Sequence, residues 1–429
     1  MLHTRSSRNF SAEKPRHPRP QGRQSELQEI FASIFADNSQ ANFKAVFWDG
    51  SSLRFGSGQD FTIRFKTKDA LKSLFADISM GFGEGYMNGD IEVEGDLRHV
   101  TRLAYQTQPL QAVTMRLLCN LAVLNLKQRN TQRRDQKHIA SHYDIGDDFY
   151  RLWLDREMVY SCAYFQNEND SLEQAQENKM QLCCRKLRLR ERENLLDIGC
   201  GWGGLLLAAA EKYGIRGTGI TLSRNQEKCG NARIRKHGLQ DRLKIAYLDY
   251  RDLEKLGQRF DKIVSIGMFE HVGKKNINDF FATVSKVLKP HGLLLLHTIG
   301  KVAEEPTNTW MKKYIFPGCH IPDLSSICKG ALQSGLKFID CEDLRVHYGR
   351  TLDQWLTRFE AHRNEIRQMF DERFVRMWRF YLAGCSSSFW HGNMHVFQLL
   401  FSAGTRNDLP LTRSWMSKGI DGEVGRGKG

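Results

Sequence analysis

The sequence predicts an α/β fold: a doubly wound, mostly parallel sheet with a small N-terminal α+β domain before it. Three observations carry the prediction. Short apolar runs alternate with helical patterns from about residue 139 to 405. The first of these runs ends in an acid and a glycine-rich turn that opens a helix: residues 195–204 read Leu-Leu-Asp-Ile-Gly-Cys-Gly-Trp-Gly-Gly. Polar residues recur at the ends of the later runs, where open α/β sheets bind their ligands.

In chain order, residues 1–25 are rich in Arg, Pro, Ser and Gln and read as a disordered basic tail. An Arg- and Ser-rich, acid-poor start is also what an organelle transit peptide looks like. A small domain at 26–110 follows, able to dock on lipid or on the larger domain. Within it Phe43 to Trp48 and Phe61 to Phe65 alternate like strands, with Asp49-Gly50-Ser51-Ser52 as a turn between them. Met80 to Met87 is a glycine-rich aromatic segment. Residues 111–138 read as an amphipathic helical linker that passes into a basic polar stretch. The large domain, 139–407, places strands at 195–198, 217–222, 243–247, 262–266 and 292–298. Its last segment, 351–403, reads as helical and aromatic, and 408–429 as a loose tail.

A chain of 429 residues can bury a sizeable core, and 41% hydrophobic with 26% charged residues is ordinary for a soluble protein. No apolar run approaches the length of a membrane span, and the N-terminus has no apolar signal core, so a cytoplasmic location is expected. The ten cysteines show neither metal-ligand spacing nor a disulfide framework, which points to a reducing compartment and no metal. The net charge of +14 favours an anionic partner, nucleic acid or an anionic membrane surface. No nucleic-acid module is recognisable, which leaves the membrane surface against a merely solubilising charge.

The glycine turn sorts the cofactor. Gly199, Gly201 and Gly204 satisfy G-x-G-x-x-G, so a dinucleotide has to be weighed. Such a site usually ends its second strand in an acid that holds the ribose. Here that strand ends in Thr221 and Leu222, and the acid stands before the turn, at Asp197. A carboxylate there suits a cationic amino group. S-adenosylmethionine carries an ammonium, a sulfonium and no phosphate. The alternative is a purely structural strand–turn–helix.

Other strand ends add Thr221 with Gln226, Asp249 with Tyr250, Glu270 with His271, and His297 with Thr298 and Ile299. Five polar strand ends then converge on one crevice. Glu270 and His297, on neighbouring strands, can do acid–base work or hold a small anion. The competing reading makes Glu270 a helix cap and His297 a satisfied core histidine. His142-Tyr143-Asp144 and Tyr160-Ser161-Cys162-Ala163-Tyr164 read as a lid over the cofactor. Cys162 and Cys385 are nucleophile candidates, but neither has a base beside it in sequence, and a lone cysteine is more often packing. The aromatic 351–403 segment suits plain core or a long apolar pocket for an acyl chain.

Together these residues resemble the cyclopropane-fatty-acyl-phospholipid synthase family. The likeness runs from His142-Tyr143-Asp144 through Tyr160 to Phe165 and the glycine turn. It continues through Gly267 to Gly273, Leu296 to Gly300, Tyr314-Ile315-Phe316-Pro317, Val396-Phe397-Gln398 and Phe401-Ser402. It covers about 80–405. The resemblance implies a class I methyltransferase-like fold, S-adenosylmethionine, and a phospholipid with unsaturated acyl chains as substrate. It also implies a homodimer, bound peripherally to the inner face of an anionic membrane, and no nucleic acid.

The implied reaction moves the sulfonium methyl to a cis double bond, leaving a carbocation that loses a proton to bound bicarbonate and closes a cyclopropane ring. On the matching positions Glu270, His297 and Tyr348 would hold the bicarbonate, aided by Cys162 and the backbone of Ile299. Cys385 matches a cysteine also assigned as catalytic and ranks below that site. Tyr160 and Ser161 carry over as cofactor-binding, as do Leu195, Leu196, Asp197 and Ile198. So do Gly199, Cys200, Gly201, Trp202 and Gly203, then Thr221, Gln226, Asp249, Tyr250 and Arg251. The chemistry is coherent: an alkene is a weak nucleophile, so positioning, charge stabilisation and exclusion of water must supply the rate. The motifs do not separate ring closure from a methyl-branched or methylene product. The alternative from another class is a lipid-binding module without turnover.

Overall fold

The structure is a computed structural model of the chain and describes residues 25–35, 41–106, 146–304 and 308–417. Residues 1–24 of the expected tail, the linker at 111–138, the cluster His142-Tyr143-Asp144 and residues 418–429 lie outside the described residues. The chain divides into two compact units, Met1–Leu126 and Lys127–Gly429.

The first unit holds a four-stranded sheet of β1 (Phe43–Val46), β2 (Ser52–Phe55), β3 (Phe61–Phe65) and β4 (Ile91–Gly95). Its order is β2-β1-β3-β4. The turn at Asp49 to Ser52 does not lead to Phe61. It folds β2 back on β1, and β3 then lies parallel to β1. Ser-Leu-Arg-Phe is too short to announce a strand by alternation. Phe31 from helix Glu26–Phe35 packs its ring edge against Phe43, Phe47 and Phe65 on the covered face. The glycine-rich segment is part of helix Ile78–Asn88, whose N-cap Asp77 accepts from the Met80 N–H at 2.9 Å. Its glycines answer a close approach: a Cβ on Gly81 would stand 2.1 Å from the Ser73 carbonyl oxygen.

The second unit is built on seven strands, in the order β10-β11-β9-β8-β5-β6-β7. They are β5 (Asn194–Ile198), β6 (Arg216–Thr221), β7 (Leu243–Tyr247), β8 (Phe260–Ile266), β9 (Leu288–Gly300), β10 (Leu336–Asp343) and β11 (His395–Ala403). β5 to β9 run parallel, and β11 and β10 close that edge antiparallel. The doubly wound, mostly parallel sheet is therefore present. Leu293 to Leu296 are wholly buried in β9, as a strand covered on both faces requires.

Two expectations need correction. Residues 395–403 are not helical but form β11; a short, nearly continuous apolar run fits a buried strand as well as a buried helix. Helices Arg345–Ala361 and Glu372–His391 account for most of the rest of that segment. The tail is not loose from 408. Helix Ser414–Ser417 buries Met416, whose carbonyl accepts from Arg185 Nε at 2.8 Å.

The winding direction reverses at β5. The chain passes β5-β6-β7 one way, then returns to place β8 and β9 on the other side. β5 and β8 stay paired to their carboxyl ends, and the connections that leave them run in opposite directions, which leaves a crevice at the switch point.

Candidate active site

A cavity of about 720 Å³ lies at these strand ends. The glycine turn forms one wall. Gly199, Gly201 and Gly203 all take positive φ, at 83°, 55° and 82°. At Gly199 a Cβ would also lie 2.6 Å from the Met268 Cβ, so only glycine lets the two loops meet. Helix Gly204–Tyr213 starts with no side-chain cap, which leaves its first amides without a side-chain acceptor.

Asp197 lines the cavity above that turn. It is buried, its Oδ1 has no partner, and burial raises its pKa to about 7 against the opposing pull of Lys179. An unpartnered buried carboxylate oxygen beside a backbone cradle fits an incoming ammonium group, as S-adenosylmethionine would bring. Thr221 Oγ1 donates to Gln226 Oε1 at 2.7 Å, and both line the cavity. Asp249 lines it too, but its oxygens are taken by Arg251, with Nε at 2.9 Å and a terminal nitrogen at 2.6 Å. That pair holds the Asp249 carboxyl below its usual range. Asp249 is thus also the N-cap of the 3₁₀ turn Tyr250–Leu256.

The other wall gathers Glu270, His297, Ile299, Tyr348 and Cys162. Glu270 Oε1 accepts from the Ile299 N–H at 2.6 Å, Oε2 has no partner, and burial raises its pKa to about 7. Glu270 therefore ties β9 to the loop after β8 and does not cap a helix. His297 Nδ1 lies 3.0 Å from Gln398 Nε2. Burial and the nearby Lys179 and Lys186 push its pKa well below the usual value, so the ring is neutral. Burial pushes the Cys162 thiol well up, and it donates to the Ala163 carbonyl at 3.2 Å. A thiol so protonated is no nucleophile. The Tyr160 and Tyr381 hydroxyls meet at 2.7 Å in the same cavity.

Tyr160, Ser161, Cys200, Gly201, Trp202, Tyr250 and Arg251 also line the cavity. Five expected site residues do not. Leu195, Leu196 and Ile198 are buried core side chains of β5, and Gly203 stands behind the lining as the first residue before the helix. Cys385 lies off the lining, and burial raises its thiol to about 12. Tyr164 of the expected lid stacks on His347 at 4.5 Å instead. The aromatic rings of 351–403 are mostly core: Trp355 and Trp378 pack with Phe149 and Trp153. From that segment only Tyr381 and Val396 reach the cavity.

Residues 130–399 match the family described as mycolic acid cyclopropane synthetase. The chain belongs to the mycolic acid cyclopropane synthetase family. Its members are S-adenosylmethionine-dependent methyltransferases. Residues 30–111 match a domain of unknown function. Among relatives of this chain, a probable fatty acid methyltransferase of Pseudomonas putida is 36% identical over 86% of this chain and 94% of its own length. The cyclopropane-fatty-acyl-phospholipid synthase of Escherichia coli is 37% identical over 82% of this chain and 90% of its own. Among solved structures, the cyclopropane synthase MmaA2 of Mycobacterium tuberculosis is 33% identical with a TM-score of 0.59, over 64% of this chain and all of that one. Mycolic acid cyclopropane synthase CmaA1, solved with SAH and CTAB, is 31% identical with a TM-score of 0.58, over 62% of this chain and 97% of that one.

Sequence reasoning passed over Lys179 and Lys186, and it met Gln398 only within a motif. Helix Leu172–Lys186 buries Leu172, Ala175, Lys179, Cys183 and Lys186 along one stripe. Two lysines on an apolar stripe are the signal, since a buried ammonium needs a built partner. Lys179 Nζ donates to Ser161 Oγ at 2.9 Å, which ties that helix to the cavity wall.

Proposed function

We propose that this chain transfers the methyl of S-adenosylmethionine to a cis double bond of a phospholipid acyl chain and closes a cyclopropane ring, with bound bicarbonate as the base. The observation that carries the reading is the Glu270 carboxyl: buried, with one oxygen unpartnered, facing the same cavity as the glycine turn. When bound, S-adenosylmethionine supplies an electrophilic methyl. Asp197 and the amides of the glycine turn would hold it, with Tyr160, Ser161, Thr221 and Gln226 around it. When bound, bicarbonate supplies the proton acceptor. Glu270 in its protonated form, His297, Tyr348 and the Ile299 region would hold that anion. Tyr348 and Tyr381 line the cavity, and their rings would stabilise a cation on the acyl chain. Exclusion of water by the bound acyl chain would keep that cation from being trapped.

The test is incubation with cis-unsaturated phospholipid vesicles and methyl-labelled S-adenosylmethionine, with the extracted fatty acids read by mass spectrometry and proton NMR. Label in a saturated ring supports the reading. Label in a branched or methylene chain supports a second reading, which the relatives named as fatty acid and sphingolipid C9-methyltransferases favour. No label, with cofactor still bound, points to a lipid-binding module.

Among the described residues no helix is long and apolar enough to cross a membrane. The net charge of +14 supports peripheral binding to an anionic membrane surface. Co-sedimentation with anionic vesicles is expected to fall as salt rises, and salt-independent binding would refute the electrostatic account.

A further inference from the structure

We propose that Gln398, held in place by Lys186, fixes the tautomer of His297 so that Nε2–H faces the cavity and the ring donates to a bound oxyanion. The inference rests on the anion site proposed above and assigns the histidine its part there: hydrogen-bond donor, not proton acceptor.

The argument starts from strand register. Glu342 on β10 is directly opposite Gln398 on β11, and Gln398 is directly opposite His297 on β9. Directly opposed residues project from the same face of a sheet. The three side chains therefore form a row that crosses the antiparallel end of the sheet and stops at the cavity. Helix Leu172–Lys186 sends Lys186 onto that row. Its Nζ lies 2.7 Å from Gln398 Oε1 and 2.5 Å from Glu342 Oε2.

An ammonium has donors only, so the amide atom that faces it must be the oxygen. The amide nitrogen then points the other way, where it lies 3.0 Å from His297 Nδ1 and 3.6 Å from Cys183 Sγ. A donor at that place requires a lone pair on Nδ1. A neutral imidazole with a lone pair on Nδ1 carries its proton on Nε2. An imidazolium would set two donors face to face. The cations acting on the ring, Lys179 and Lys186 from the same helix, oppose it further. Glu342 offsets Lys186 at the far end of the row, and Glu270, Cys162 and Tyr348 share the cavity. A ring whose cavity-facing nitrogen already holds a proton can hand a hydrogen bond to an oxygen but cannot take a proton there. Gln398 and Lys186 are positioning residues: they act through His297.

The test uses the full-length enzyme labelled with ¹⁵N-histidine, and His297→Gln to assign the His297 signals. Long-range ¹⁵N–¹H spectra should give Nδ1 the shift of a bare nitrogen and Nε2 that of a protonated one from pH 6 to 9. Lys186→Met removes what orients the amide. In that variant a share of the rings should move the proton to Nδ1, and kcat should fall roughly tenfold, the worth of one hydrogen bond to a charged group, with KM for S-adenosylmethionine nearly unchanged. A native ring protonated on Nδ1, or a tautomer untouched by Lys186→Met, overturns the proposal. Should Lys186→Met fail to fold, the native spectrum decides alone. The tautomer is read without lipid, so a failure of the labelled-lipid assay sinks the functional reading and leaves this result standing.

Discussion

Replacing Glu270 by Gln keeps the shape of the side chain and removes its charge. In the folded chain one oxygen is held by the Ile299 N–H, the other has no partner, and the pKa stands at about 7 against an ordinary 4.5. A carboxyl whose folded pKa lies above its unfolded one gives stability that is complete below the unfolded value and is lost as pH rises through the folded value. The window therefore runs from about pH 4.5 to 7. At about 1.36 kcal/mol per pH unit, full ionisation costs the native fold about 3 kcal/mol. Glu270→Gln cannot ionise and escapes that cost. Urea unfolding in carbonate-free buffer, read on the transition of the Lys127–Gly429 unit, should show the variant gaining about 2–3 kcal/mol over the native chain between pH 5 and 8.5. Asp197 titrates alike in both proteins and cancels. The same variant should lose turnover by at least about a hundredfold while it still binds S-adenosylmethionine. A stability difference that stays flat with pH would mean that Glu270 is ionised in the fold. Unimpaired turnover would refute its place at the anion site.

Further outcomes follow from the same geometry. Asp197→Asn should weaken S-adenosylmethionine binding by roughly ten- to a hundredfold in calorimetry, because a charge-assisted contact to the ammonium is lost. Gly199→Ala should cost about 2 kcal/mol or more and abolish cofactor binding, since it meets both positive φ and Met268; thermal unfolding and the same titration check it. Cys385→Ser should keep turnover within a few-fold of the native chain, because the thiol lies off the cavity lining; loss of activity without loss of fold would restore it as a catalytic residue.

The parallel half of the fold was legible because its short strands alternate with helical patterns and end in polar residues. β5 to β8 follow their expected spans to within two residues, and β9 extends further, to Leu288 and Gly300. The antiparallel edge was not. β11 hides in an aromatic stretch that suits a helix, and in β10 only Leu336 is fully buried, so it shows little period. At the site, the residues that face the cavity from strand ends were readable, because position at a strand end is itself a signal. Leu195, Leu196 and Ile198 were drawn in with their motif, although in β5 their side chains serve the core. Gln398 was visible only as part of a motif. Its role depends on a cross-strand partner 101 residues away, and linear spacing carries no trace of that register.

β11 is inserted between β9 and β10, although β10 is made first. A growing chain therefore reaches Asp343 with no partner ready for β10, while the leucine-rich edge of β9 stays open. Both wait for residues 395–403 to leave the ribosome. Until then the nascent protein carries an unpaired apolar edge, the kind that pairs with other chains. His297 has no Gln398 at that stage. Any slowing of translation ahead of β11 should raise aggregation in the cell more than slowing after it.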